Sequence, residues 1–220
     1  MLKNSDRKIE LKVSADGSHT LYVPELEEHY HSVNGAINES MHVFIEPNLR
    51  YSTKEEVSVL EIGFGTGLNA FLTALNQGNK SIFYHSLEKY PIAEELALKL
   101  NYCANPEEQL FFEKMHLAAW QKESEITQNF TLLKDEVDLI SATFKRKYDL
   151  VYFDAFAPEK QPEMWEPQIF QKIYDAMNDG GILTTYCAKG AVRRTMQTCG
   201  FAVERLPGPK GKREMLRAIK

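Results

Sequence analysis

The chain has 220 residues, 43% hydrophobic and 26% charged, an ordinary globular balance that excludes disordered, collagenous and coiled-coil chains. Its length suits one domain, or one domain with a small attachment, burying roughly 70% of the unfolded surface. The net charge of −5 argues against a general nucleic-acid binder, although the stretch from Lys189 to Lys220 carries a local net of +7 on an otherwise acidic body.

The N-terminus, MLKNSDRKIELKV, lacks the apolar run of a secretory signal. IELKVS (9–14) and HTLYV (19–23), separated by Ala-Asp-Gly, predict a short hairpin, and a short helix is expected near 33–42. VSVLEIG (57–63) predicts a strand buried on both faces, followed by a helix over LNAFLTAL (68–75) that ends at Gly78. SIFYHSLE (81–88) is a strand; Pro91 opens a helix reaching about Tyr102, and 106–120 is helical. NFTLLKD (129–135) is a strand and EVDLISAT a short helix. YDLVYFD (148–154) is a buried strand, 165–178 a helix, GGILTTYC (180–187) a strand and 190–199 a helix. Gly200–Leu206 and Glu214–Ile219 close the chain as two strands across a tight loop, and so run antiparallel.

Strand–helix alternation with short connections predicts a three-layer, doubly wound, mostly parallel α/β sheet with an antiparallel last strand and a short N-terminal hairpin. Ligands of such sheets sit at the C-terminal strand ends, at the topological switch point. The three cysteines, Cys103, Cys187 and Cys199, have no CxxC spacing. They read as free thiols of a reducing cytoplasm, with neither a disulfide frame nor a metal site expected. The apolar runs fall short of the roughly 20 residues of a membrane span.

The strongest local signal is Leu60-Glu61-Ile62-Gly63-Phe64-Gly65-Thr66-Gly67-Leu68-Asn69, a buried strand running through three glycines into a helix. Glycines allow a tight turn and close approach of a ligand, and the helix N-terminus offers free N–H groups. The spacing is G-x-G-x-G with an acid at Glu61, tighter than the dinucleotide spacing G-x-G-x-x-G. It resembles motif I of class I S-adenosylmethionine-dependent methyltransferases. Glu88, at the end of the second buried strand, suits two ribose hydroxyls, a device shared with nicotinamide enzymes. Asp135 can accept from an adenine amino group or cap a following helix. Asp154 ends the strand beside the glycine turn, with Phe156 and Trp165 as candidate walls for a flat substrate; core packing is the other reading of Trp165. Lys189, Arg193, Arg194, Lys210, Lys212 and Arg213 suit either a phosphate backbone or a solvated face. Cys187 and His85 are read as structural.

Three blocks, LEIGFGTGLNAFL (60–72), LVYFDAFAPEKQPEMW (150–165) and GGILTTYCAKGAVRR…LPGPKGKREML (180–216), resemble the methyltransferase domains of the MnmC family, as does HSVNGAINESMHVFI (31–45). The resemblance implies a class I methyltransferase fold over 51–220, preceded by a hairpin and lid segment at 1–50. It also implies S-adenosyl-L-methionine as cofactor and a tRNA anticodon stem-loop as partner, without membrane or metal. The implied reaction converts 5-aminomethyl-(2-thio)uridine to its 5-methylaminomethyl form. Glu61, Gly63, Gly65, Gly67 and Asn69 would then hold the methionine end of the cofactor, Glu88 the ribose and Asp135 the adenine. Asp154 would be catalytic, with Glu39 a weaker contact. The family's bifunctional members add an FAD-dependent oxidase domain; none follows before Lys220, so separate enzymes are expected to supply the aminomethyl precursor. The alternatives are a small-amine methyltransferase or aminopropyltransferase-like enzyme, or a non-catalytic S-adenosylmethionine-binding module. A nicotinamide oxidoreductase is opposed by the glycine spacing.

Overall fold

The computed structural model describes residues 8–220, so the first seven residues of the N-terminal segment lie outside the description. Strands β1 (Glu10–Val13), β2 (His19–Val23) and β3 (Glu28–His29) form a three-stranded antiparallel sheet, one strand more than the expected hairpin. Helix α1 (Ala36–Ser40) continues into a π-helical segment, Met41–Leu49, that contains Pro47. Proline has no N–H to donate, which favours a non-standard turn here. The neighbouring Asn48 is fully buried and donates to the Val151 carbonyl at 3.1 Å and Thr184 Oγ1 at 3.0 Å, pinning the segment to the main sheet.

The main sheet holds eight strands in the order β10-β11-β9-β8-β4-β5-β7-β6. Its parallel centre comprises β4 (Glu56–Ile62), β5 (Ser81–Glu88), β7 (Phe130–Glu136), β8 (Tyr148–Phe153) and β9 (Met177–Thr185). Strands β10 (Ala202–Pro207) and β11 (Glu214–Ile219) add an antiparallel edge, as expected, and β6 (Ser124–Thr127) adds another. One face is covered by α2 (Leu68–Asn76), α4 (Pro106–Leu117) and the π-helical segment, through Phe44, Phe71 and Phe112. The other is covered by α5 (Pro167–Ala176) and α6 (Gly190–Thr198), through Phe170, Ile173 and Met196. The chain leaves β4 for β5 on one side and later returns to β8 on the other, so the switch point lies between β4 and β8.

Two expected helices are not formed. After Pro91 only one turn appears, α3 (Glu94–Ala97). Asn101 donates to the Gly17 carbonyl at 2.9 Å and accepts from His19 N–H at 2.7 Å, so this stretch is drawn onto the N-terminal sheet instead of coiling. EVDLISAT is not a helix either: Glu136 stays in β7, and Asp138 closes a turn by accepting from Ile140 N–H at 3.0 Å. With no helix following, the capping reading of Asp135 falls away.

Candidate functional site

A cavity of about 430 Å³ opens at the C-terminal ends of β4, β5 and β8, a size usual for cofactor and small-ligand sites. Its floor is the glycine turn. Gly63 N–H donates to the Leu87 carbonyl at 2.9 Å and Gly65 N–H to Glu88 Oε2 at 2.9 Å, so the turn is fastened to the end of β5. Glu88 Oε1 meanwhile accepts from Tyr90 N–H at 2.8 Å. Two glycines are required by geometry as well as by turn conformation. Gly63 has φ +93°, and a Cβ there would lie 3.0 Å from the Asp154 carbonyl oxygen. Gly65 has φ +51°, and its Cβ would lie 3.0 Å from the Tyr30 ring.

Asp154 follows β8 and faces the cavity. Asn69, in the first turn of α2, donates to Asp154 Oδ2 at 2.9 Å. Burial pushes the Asp154 carboxyl up to about 7; the charge of Glu39 adds to the rise, while the Asn69 bond and Lys212 oppose it. Glu61 lies behind this pair, fully buried, and accepts from Ser86 Oγ at 2.6 Å. Among the described residues its Oε1 and the Asn69 Oδ1 have no hydrogen-bond partner. Burial first, then the neighbouring Asp154 charge, holds Glu61 well above the ordinary carboxylate range.

The segment after β2 closes one side of the cavity. Tyr30 packs edge-on against Phe156 with ring centroids 5.5 Å apart. His31 is buried and bonds Thr66 Oγ1 in the glycine turn at 2.7 Å; burial pushes its imidazole down to about 4, so it is neutral at pH 7. Glu39, 8% exposed, accepts from Ser32 N–H at 2.7 Å and from the Lys212 ammonium at 2.7 Å. Lys212 also stands 3.9 Å from the centroid of the Tyr186 ring. The N-terminal segment and the β10–β11 loop thus meet over the site.

The structure brings together Gly63, Gly65, Glu88, Asp154, Phe156 and Lys212 on the cavity wall, with Glu39 among them. Glu61, Gly67 and Asn69 stand behind that wall. Two expectations are corrected. Asp135 pairs with His85 Nε2 at 2.9 Å and does not line the cavity, because the β5–β7 register that sets it opposite Leu87 puts it on the same sheet face as His85; Asp138, three residues on, reaches the cavity. Trp165 is 6% exposed and packs on Phe153 at 4.9 Å, while its indole N–H donates to the Phe156 carbonyl at 2.9 Å. It supports the wall from the core and is not itself the wall. Lys189 pairs with Glu159, Arg193 is half-buried on α6, and Arg194, Lys210 and Arg213 are exposed. Tyr30, Tyr186 and Asp138 also line the cavity, and their only sequence signal is position, just after a strand.

The donor set fits an adenosyl-amino-acid cofactor. A glycine cradle that a Cβ at Gly63 or Gly65 would crowd, and an acid at the end of β5, are what such a molecule needs. Among the described residues, no cluster of three His, Cys, Asp or Glu side chains could hold a metal, and no helix is long and apolar enough to cross a membrane.

Comparison with known proteins agrees with this geometry. A family model described as S-adenosyl-L-methionine-dependent methyltransferase matches residues 102–220. The tRNA 5-methylaminomethyl-2-thiouridine biosynthesis bifunctional protein MnmC of Actinobacillus pleuropneumoniae is 27% identical over 93% of this chain and 34% of its own length. The MnmC of Leptospira borgpetersenii is 31% identical over 85% of this chain and 31% of its own. The chain therefore spans about a third of these relatives. The crystal structure of MNMC2 from Aquifex aeolicus superposes with a TM-score of 0.82 at 25% identity, covering 99% of this chain and 72% of that one.

Proposed function

The chain belongs to the S-adenosyl-L-methionine-dependent methyltransferase family, and from that premise we propose that it methylates a primary amine on a tRNA wobble uridine, converting 5-aminomethyl-(2-thio)uridine to 5-methylaminomethyl-(2-thio)uridine. The observation that carries this reading is the meeting, on one cavity wall, of Asp154 and Lys212 of the basic β10–β11 loop beside the glycine turn. The names of the MnmC relatives and of the Aquifex structure support it. A splayed-out anticodon base fits an aromatic cavity of this kind, formed by Tyr30, Phe156 and Tyr186.

S-Adenosyl-L-methionine supplies an electrophilic sulfonium methyl. The residues that would hold it are the glycine turn at the methionine end, Glu88 at the ribose, and Asp138 rather than Asp135 at the adenine. To receive that methyl group the amine would have to be neutral, with its lone pair free. Asp154 accepts an N–H of the amine, aims the lone pair and offsets the positive charge that grows on nitrogen. A carboxyl near 7 is matched to that task at neutral pH, since it can take the proton released by the product ammonium and pass it to solvent. Tyr30 and the Glu39–Lys212 pair close the site. In this reading the protein is cytoplasmic and depends on other enzymes for the aminomethyl group.

The test is incubation with methyl-labelled S-adenosyl-L-methionine and total tRNA from cells lacking 5-methylaminomethyl modification, followed by nucleoside separation. Label in 5-methylaminomethyl-(2-thio)uridine is the expected result. No label, from protein that binds the cofactor by calorimetry, overturns the tRNA reading in favour of a small-amine enzyme or a binding module.

A further inference from the structure

The chemistry proposed above has a charge problem. An aminomethyl group with the basicity of a lysine amine is cationic at pH 7 and has no lone pair to offer. Nearby carboxylates make this worse, because they favour the ammonium form. Six carboxylates line the cavity, and of these Glu39 is the one whose charge acts on Asp154. Two lysines line the cavity as well: Lys89 is paired with Asp138 at 2.6 Å, and Lys212 places its ammonium 2.7 Å from Glu39 Oε1 and 3.9 Å from the Tyr186 ring. Backbone contacts fix the arrangement. Ser32 N–H holds the second Glu39 oxygen at 2.7 Å, and His42 Nε2 bonds the Pro207 carbonyl at the base of the lysine's loop at 2.8 Å.

We propose that Lys212 is a specificity-determining residue for the neutral amine: with Glu39 it forms an ion pair that sets the charge of the cavity so that the amine is held deprotonated beside an ionised Asp154. This rests on the reading of Asp154 as the acceptor of the substrate amine. With Lys212 in place, Glu39 is already neutralised and a second ammonium would face a cation across the cavity. Without it, Glu39 would stand unneutralised beside Asp154, and the pair would favour the ammonium form. Its position on the cavity wall separates Lys212 from Lys210 and Arg213, with which it shares a basic stretch in sequence.

The groups facing Asp154 come from every surrounding element. They are Glu61 from β4, Asn69 from α2, Tyr84 from β5, Tyr186 from the segment after β9, Glu39 from α1 and Lys212 from the β10–β11 loop. Of these, Glu39 and Lys212 act on Asp154 in opposite directions, Glu39 raising and Lys212 lowering it. The two halves of one ion pair should therefore have opposite effects on the reaction, which a merely structural clasp cannot produce.

The experiment is the pH dependence of the single-turnover methylation rate with saturating cofactor and tRNA, for wild type, Lys212→Met, Lys212→Arg and Glu39→Gln. Lys212→Met is expected to move the acid limb up by about half a pH unit or more and Glu39→Gln to move it down, with Lys212→Arg close to wild type. Should Lys212→Met not fold, the downward shift in Glu39→Gln carries the test. Shifts of the same sign in Lys212→Met and Glu39→Gln, or a Lys212→Met variant with a wild-type limb and only a raised KM for tRNA, overturn the inference while leaving the proposed reaction standing. Wild-type protein that binds cofactor yet yields no methylated nucleoside removes both.

Discussion

Asn69 donates its side-chain amide to Asp154 Oδ2 at 2.9 Å, joining the first turn of α2 to the end of β8 across the switch point. A hydrogen bond to the charged form of a carboxyl favours that form. Here it works against the burial that drives Asp154 upward. Asn69→Ala should therefore leave cofactor affinity nearly unchanged and shift the acid limb of the rate to higher pH, with about a tenfold loss of turnover at pH 7. Asn69→Asp should be worse, because a third carboxyl joins Glu61 and Asp154. A pH–rate profile for each variant decides the matter; an unshifted limb in Asn69→Ala would mean that the amide is only a packing contact.

Asp154 itself offers two readouts. Asp154→Ala should retain cofactor binding and lose at least about 10²-fold in turnover, the usual scale for a positioned acid–base group. Loss confined to KM would remove the assignment. Stability should respond in the opposite sense. A carboxyl raised to about 7 in the folded state binds more protons folded than unfolded between its ordinary value of 3.8 and 7, so stability falls as pH rises through that window. Asp154→Asn escapes this loss. Its Tm should exceed that of wild type by a few degrees at pH 8.5, on the order of 1 kcal/mol, and the gap should narrow toward pH 4.

What could be read before the structure was what long apolar runs carry. The central strands β4, β5 and β8, and β9 from Ile182 onward, are rich in β-branched, aromatic and other apolar residues, and each delivers the residue after it to one end of the sheet. The glycine turn, Glu88 and Asp154 were legible for that reason. Three features were not. Strand β6 is polar, with the burial of Ile126 as its only apolar anchor, so it carries no strand signal. The stretch after α3 is held by Asn101 contacts with residues more than 80 positions earlier, which no local pattern encodes. The choice between Asp135 and Asp138 depends on where β7 ends, and a shift of one residue in a strand turns a side chain to the other face. Trp165 illustrates the same limit: an aromatic beside a site has the same sequence signature whether it lines the cavity or supports it from the core.

Gly63 tests the floor of the cavity. Any side chain there must adopt φ +93° and place Cβ 3.0 Å from the Asp154 carbonyl oxygen, a backbone atom that cannot swing aside. Gly63→Ala should cost about 1–3 kcal/mol from the backbone conformation alone. That corresponds to a Tm lower by about 2–10 °C at this chain length. Because the clash falls on the residue that orients the amine, turnover should drop together with cofactor affinity. Calorimetric titration and a thermal melt on the same sample check both, and an alanine variant with wild-type Tm and affinity would show that the turn relaxes without moving β8.

Lys134 is the least expected group in the core. It is 1% exposed, donates to the His116 carbonyl at 2.7 Å and lies over the rings of Trp120 at 4.8 Å and Phe64 at 5.4 Å, directly behind the glycine turn. Burial pushes its ammonium down to about 8. Below that value the buried charge weakens the fold. Between 8 and the ordinary value of 10.5 the unfolded chain holds more protons than the folded one, so stability rises with pH. Lys134→Met removes the charge while keeping the length of the side chain, at the cost of about 1 kcal/mol for the unpaired His116 carbonyl. Replacing a buried charge by an apolar residue of similar volume is often neutral or stabilising. The variant should be at least as stable as wild type at pH 7, and that advantage should shrink by pH 9.5 as wild-type Lys134 loses its proton. Melting curves of the two proteins at both pH values give the answer: a difference in Tm that does not change with pH would mean that Lys134 stays charged in the folded state, held by its aromatic neighbours and the His116 carbonyl.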